Sequence, residues 1–183
     1  MKNSVLILGA ASLQVPIIKY VKSKGFNVIV VSIPGHYPGF ELADKCIYCD
    51  IRDLDGILAS IKDDEIEAVL TDETDIAVPT VAKVAKQLCL AGNDPVIAQV
   101  YSNKFKMRQE CRKAGVSVPR FFHAFSLEEV KYQSHNIKYP VIIKPEDNQG
   151  SRGVFCVNNL NELLAYFDEA IKYSKSGNVI VEE

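Results

Sequence analysis

Residues 139–157 read Y-P-V-I-I-K-P-E-D-N-Q-G-S-R-G-V-F-C-V and contain a lysine whose setting asks for a chemical explanation. Val141, Ile142 and Ile143 form a β-branched apolar run that ends in Lys144. Pro145 then interrupts the ladder, a polar loop with Gly150 and Gly153 follows, and Val154, Phe155 and Val157 resume an apolar strand. The pattern predicts two antiparallel strands joined by a glycine-bearing loop. A lysine closing a buried strand must send its ammonium to something polar. Loop N–H groups freed by glycine, serine and asparagine can converge on an anion. Together they would make a clamp for a polyphosphate. A plain surface hairpin whose lysine reaches solvent fits the same residues, so the rest of the chain has to decide.

The elements that would position such a clamp come in two runs. Residues 4–8 are a continuous apolar segment, as expected of a strand covered on both faces, and Gly9 ends it. A helical pattern over 13–21 stops near Gly25, and 27–32 reads as a second strand, so the chain opens β-α-β. Pro34, Gly35, Pro38 and Gly39 predict an irregular loop before a short third strand at 46–49. Asp53 caps a helix through Ile61, 68–71 is a fourth strand, and Asp75 begins a helix over 76–88. The run Gly92-Asn93-Asp94-Pro95 is the clearest break, which places one domain at 1–93 and a second at 94–183. The second domain then reads as a helix from Pro95 interrupted near Ser102-Asn103, a helix over 104–114 closed by Gly115, and a strand at 121–124. Capped helices beginning at Ser126 and Asn159 flank the lysine hairpin. A final apolar stretch, 178–183, ends in paired acids with no element after it, which is expected of a fragment.

Composition narrows the function classes. The chain has 183 residues, 48% hydrophobic and 24% charged, with net charge −2, enough for a sizeable core in one large or two small domains. Basic and acidic residues are interspersed, so neither nucleic acid nor a membrane surface is an expected partner, and any anion site must be local. The N-terminal apolar run meets Gly9 too soon to be a signal core or a membrane span, which points to the cytoplasm. The five cysteines are odd in number and lie within strand or helix patterns, as reduced thiols would. Cys46 and Cys49 have C-x-x-C spacing but fall in a strand, where residues three apart face opposite sides, and His36, His123 and His135 show no ligand spacing. No metal site is expected. A dinucleotide site is disfavoured as well, because Gly9 is followed by Ala10, Ala11, Ser12 and Leu13 where the fingerprint needs two more glycines.

Four features stand in a fixed order: S-N-K-F-K-M-R-Q-E-C-R-K-A-G-V-S-V-P at 102–119, P-V-I-I-K-P at 140–145, the Gly150-Ser151-Arg152-Gly153 loop, and the terminal V-I-V-E-E. The set resembles the ATP-grasp superfamily, especially carboxylate-amine ligases and the large subunit of carbamoyl-phosphate synthase. The preceding segment, with L-A-D at 42–44 and T-D-E-T-D at 71–75, is similar to the pre-ATP-grasp domain of the same proteins. The implied fold is α/β: a small doubly wound parallel sheet, Rossmann-like, followed by an incomplete α+β ATP-grasp subdomain truncated at its hinge strand.

The resemblance implies that Lys104 and Lys144 bind the phosphates of ATP. It also implies that Gly150, Ser151 and Gly153 fold over those phosphates, and that Glu183, with Glu182, begins the strand whose backbone reads the adenine edge. The implied activity is that of an ADP-forming ligase, which phosphorylates a carboxylate or bicarbonate to an acyl phosphate for an amine to attack. Small-molecule acid and amine substrates and a homodimer are the implied partners. Mg2+ is an implied cofactor whose ligands lie beyond the hinge strand in the family. The chain alone is therefore expected to be inactive, and no catalytic residue is assigned within it. A non-catalytic nucleotide-binding regulatory module is the alternative from another class.

Overall fold

The structure, a computed structural model, describes residues 3–183. It divides into two compact units, one running to Ser102 and one from Asn103 to Glu183.

The first unit follows the order β1 (Ser4–Leu8), α1 (Val15–Ser23), β2 (Asn27–Ser32), α2 (Pro38–Leu42), β3 (Lys45–Tyr48), α3 (Leu54–Ser60), β4 (Ile66–Leu70), α4 (Val78–Gln87) and α5 (Pro95–Tyr101). Its strands form one parallel sheet in the order β3-β2-β1-β4. The unbroken apolar run of β1 is explained by burial on both faces. Leu6 and Leu8 pack with Ile29, Val31, Ile57 and Val84 on one side, while Val5 and Ile7 pack with Ile18, Val21, Val28 and Val30 on the other. Helix α1 thus covers one face and α3 and α4 the other. The doubly wound parallel sheet expected from the sequence is the one observed.

Three details depart from the sequence reading. A five-residue helix, α2, replaces the irregular loop, with Pro38 in its first turn and Phe40 edge-on to both Tyr37 and Tyr48. Tertiary packing of aromatic rings overrides the local proline and glycine signals there. Strand β4 begins at Ile66 rather than 68 because its ladder with β1 has an irregularity between Ser4 and Val5, which hides the alternation around Glu67. The units separate after α5 rather than at 93/94. Asp94 does cap a helix, accepting from the N–H of Val96, but that helix packs against α4 with Ala98 buried.

The second unit contains α6 (Lys104–Lys113), β5 (Phe121–Ala124), α7 (Leu127–Gln133), β6 (Val141–Pro145), β7 (Phe155–Val157), α8 (Leu160–Ile171) and β8 (Val179–Glu182). Its strands form an antiparallel sheet in the order β5-β8-β6-β7, with the expected hairpin between β6 and β7. One face carries Phe122, Ala124, Val141, Ile143, Val157, Val179 and Val181 into a core completed by Val130 of α7 and by Leu163, Phe167 and Ala170 of α8. Asn159 caps α8 by accepting from the N–H of Glu162, and Ser126 caps α7 through Glu129, as their spacing predicts. No helix among the described residues is long and apolar enough to cross a membrane.

Candidate functional site

Strand alternation sends Phe121, His123, Ile142, Lys144, Ile180 and Glu182 to the face opposite that core. Helix α6 lies against this face through residues three and four apart. The Phe105 ring is edge-on to Phe121 and stacked on His123 at 3.9 Å, Arg108 reaches Glu182, and the Arg112 guanidinium sits 4.2 Å over the Phe121 ring. Glu182 is only 6% exposed. Its Oε1 accepts from the Lys144 ammonium and its Oε2 from Arg108 Nε at 3.1 Å. Burial works to raise the Glu182 carboxyl, and the bonds from Lys144 and Arg108 outweigh it, holding the group below the ordinary glutamate range. The end of β6 is therefore an organised cationic corner in which one carboxylate orients two cations.

The glycine-bearing loop starts from the same corner. The backbone N–H of Lys104 donates to the carbonyl of Glu146 at 2.8 Å, and the Lys104 ammonium donates to the carbonyl of Asn148 at 2.5 Å. Asp147 fastens the loop root to the segment before β8: its Oδ1 accepts from Ser174 Oγ and the N–H of Lys175, and its Oδ2 from the N–H of Ser176. Beyond that root, Gly150 (φ 67°) and Ser151 (φ 55°) adopt left-handed backbone, which a serine tolerates poorly and a glycine freely. Gly153 (φ 74°) closes the loop against the Tyr173 ring, where an added Cβ would come within 2.8 Å of a ring carbon. A rooted base with a left-handed, exposed tip can fold over an anion held by the lysines.

Residues 111–183, which include β6, the glycine-bearing loop and β8, match the family model described as the D-ala D-ala ligase C-terminus. A formate-dependent phosphoribosylglycinamide formyltransferase from Prochlorococcus marinus is 23% identical over 184 residues, taking in 99% of this chain and 47% of that protein. A carbamoyl phosphate synthase large chain from Bifidobacterium longum is 32% identical over 91 residues, 50% of this chain and 8% of its own length. The crystal structure of a biotin carboxylase domain dimer from the Hydrogenobacter thermophilus 2-oxoglutarate carboxylase, in complex with MgADP, ADP and bicarbonate, has the same fold. It superposes with a TM-score of 0.74 at 20% identity, covering 100% of this chain and 44% of that one. The chain is similar to ATP-grasp ligases. It spans about half the length of the formyltransferase relatives it matches.

The residues singled out from the sequence divide into two groups. Lys104, Lys144, Gly150, Ser151, Gly153 and Glu182 gather around the end of β6 and its loop, although the two ammonium groups take different partners. Glu183 lies elsewhere: its N–H donates to the carbonyl of Arg120 and its Oε1 accepts from the N–H of Lys138 at 2.8 Å. Sequence reasoning missed Arg108, Asn103 and Glu146. Arg108 shares a helix face with Phe105 and could have been found from that spacing, whereas nothing local marks Glu146 as buried.

Among the described residues, no group of three or more His, Cys, Asp or Glu stands together to hold a metal. Glu182 has both carboxylate oxygens committed to Lys144 and Arg108 and is not free to ligate Mg2+. Cys46 and Cys49 do not share a strand, because β3 ends at Tyr48: Cys46 Sγ donates to the carbonyl of Phe40, and Cys49, just past the strand, has its Sγ 3.6 Å from Asp53 Oδ2.

Proposed function

We propose that the chain is the nucleotide-binding part of an ADP-forming carboxylate–amine ligase that works in the cytoplasm on small molecules. The observation that carries this is the corner at the end of β6, where Lys144 is held by Glu182 in the strand that leads into the glycine-bearing loop and Lys104 from α6 bonds that loop at Asn148. Lys104 and Lys144 would offset the charge of the ATP phosphates, and the segment from Gly150 through Ser151 to Gly153 would close over them. Glu182 would hold Lys144 in place, and the backbone at Glu182 and Glu183 would run along the adenine edge. The relatives reported above act in formyl transfer and carbamoyl phosphate synthesis by name, and the biotin carboxylase domain was crystallised as a dimer with MgADP and bicarbonate. These support ATP as substrate, a carboxylate or bicarbonate as acceptor, and a homodimer.

In the proposed reaction a carboxylate oxygen attacks the γ-phosphorus of ATP, and the bond to the β-phosphate oxygen breaks, giving an acyl phosphate and ADP. An amine nitrogen then attacks the acyl carbon and expels phosphate, which leaves with the amine's proton. Activation is needed because a carboxylate is a poor electrophile; the protein contributes alignment and charge stabilisation. Mg2+ ligands would come from residues other than those described, so residues 1–183 by themselves should show no ligase turnover. The test is product analysis with the complete protein and candidate acids. ADP and phosphate are expected, and release of AMP with pyrophosphate would overturn the assignment. Turnover by the 183-residue chain alone would refute its predicted inactivity.

A further inference from the structure

Among the described residues two glutamates are buried, and they are satisfied in opposite ways. Glu182 is answered by two cations. Glu146, 5% exposed, is answered at Oε1 by neutral donors alone: Asn103 Nδ2 at 3.0 Å, Ser176 Oγ at 3.1 Å and Asn178 Nδ2 at 3.3 Å. Its Oε2 is buried without a hydrogen-bond partner, and His123 Nδ1 lies 3.7 Å away. A carboxylate in this state is costly to bury for packing alone.

The surroundings of Glu146 suggest what it does. Three consecutive residues at the start of α6 touch it or its histidine. Asn103 bonds the carboxylate, the N–H of Lys104 bonds the Glu146 carbonyl, and Phe105 stacks flat on the His123 ring with an interplanar angle of 3°. On its other side the N–H of Glu146 donates to the carbonyl of Asn178. Asp147, the next residue, roots the glycine-bearing loop, and the ammonium of Lys104 ends on Asn148 of that loop.

We infer that Glu146, backed by His123, is a positioning residue for ATP: it sets the first turn of α6, and through it the Lys104 ammonium, against the root of the loop that closes on the phosphates. Glu146 itself does not touch the nucleotide. The inference rests on the nucleotide assignment made above.

The experiment uses the complete protein that contains this chain and measures MgATP binding by calorimetry, together with steady-state KM and kcat. Glu146→Gln keeps the shape and the Oε1 acceptor and removes the charge. It should raise the Kd and the KM for ATP about tenfold, the scale seen when a supporting contact behind a ligand is lost, with kcat at saturating ATP retained. Combined with Lys104→Ala it should add little further loss, because both changes disable the same contact. His123→Gln, at a half-exposed side chain, tests the same idea in case Glu146→Gln does not fold, and it too should raise the Kd. Wild-type protein that binds no MgATP refutes the nucleotide assignment and the inference with it. Wild type that binds, with unchanged affinity in either folded variant or fully additive effects with Lys104→Ala, leaves the assignment standing and overturns the role given to Glu146.

Discussion

Glu182 shows why single side chains matter at this site. It holds Lys144 and Arg108 on a surface from which water is largely excluded, so Glu182→Ala leaves two cations facing each other with no counter-charge. The expected loss is about 3 kcal/mol of stability in the second unit, measured by urea melts. The acid dependence follows from the same geometry. The folded-state pKa of Glu182 lies below its unfolded value, so its contribution is fully present above the unfolded value and is lost as pH falls through the folded one. Below about pH 5 the wild type should lose stability more steeply on acidification than Glu182→Gln does, with no difference in slope between about pH 5 and pH 7. An equal slope in the two proteins would show that the carboxylate is not held as described. Lys144 was legible in the sequence because a lysine ending an apolar strand is conspicuous. Its partner was not, since Glu182 reads locally as one of two terminal acids, and only the register of β8 between β5 and β6 turns it inward.

At the scale of elements, the hairpin and the capped helices could be read directly, because short β-branched runs broken by proline and glycine, and Asn or Ser caps, act over a few residues. Helix α2 and the onset of β4 could not, because packing partners outside each segment decide them. Helix α6 lies between these cases. Its start was visible at Asn103, whose Oδ1 accepts from the N–H of Lys106 at 2.9 Å, but its orientation depends on contacts with the sheet. Asn103→Ala removes both that cap and the bond to Glu146. It should cost more than the ~1 kcal/mol of a lost cap alone, detectable as a lowered melting temperature. Strand and loop settings also rank the thiols. Burial, with Asp53 beside it, pushes the Cys49 thiol up, while Cys156 is exposed on β7. Cys156 should therefore react with a maleimide well before Cys49, and mass spectrometry of partially labelled protein would show the reverse order if the placement of β3 or β7 were wrong.

Over the whole molecule, the succession of a parallel sheet and an antiparallel one was legible because β1 and β2 are unbroken apolar runs with a helical pattern between them, whereas β6 and β7 are short apolar runs joined directly by a glycine-bearing loop. The point of division was not, since Asp94 and Pro95 announce a helix start and say nothing about which core that helix joins. The division places every residue assigned to ATP, from Lys104 to Glu183, in one compact unit with its own buried cluster. Nucleotide binding should therefore be felt unevenly along the chain. In the complete protein, hydrogen exchange with and without MgATP should show its largest added protection at 146–153 and in the first turn of α6, with a smaller effect in β8. The ladder of β1, β2 and β3 should change little, because its stability comes from the separate clusters around Leu6 and Ile7. Protection concentrated instead in the loops after β1 and β4 would move the nucleotide to the parallel sheet and away from the lysine corner.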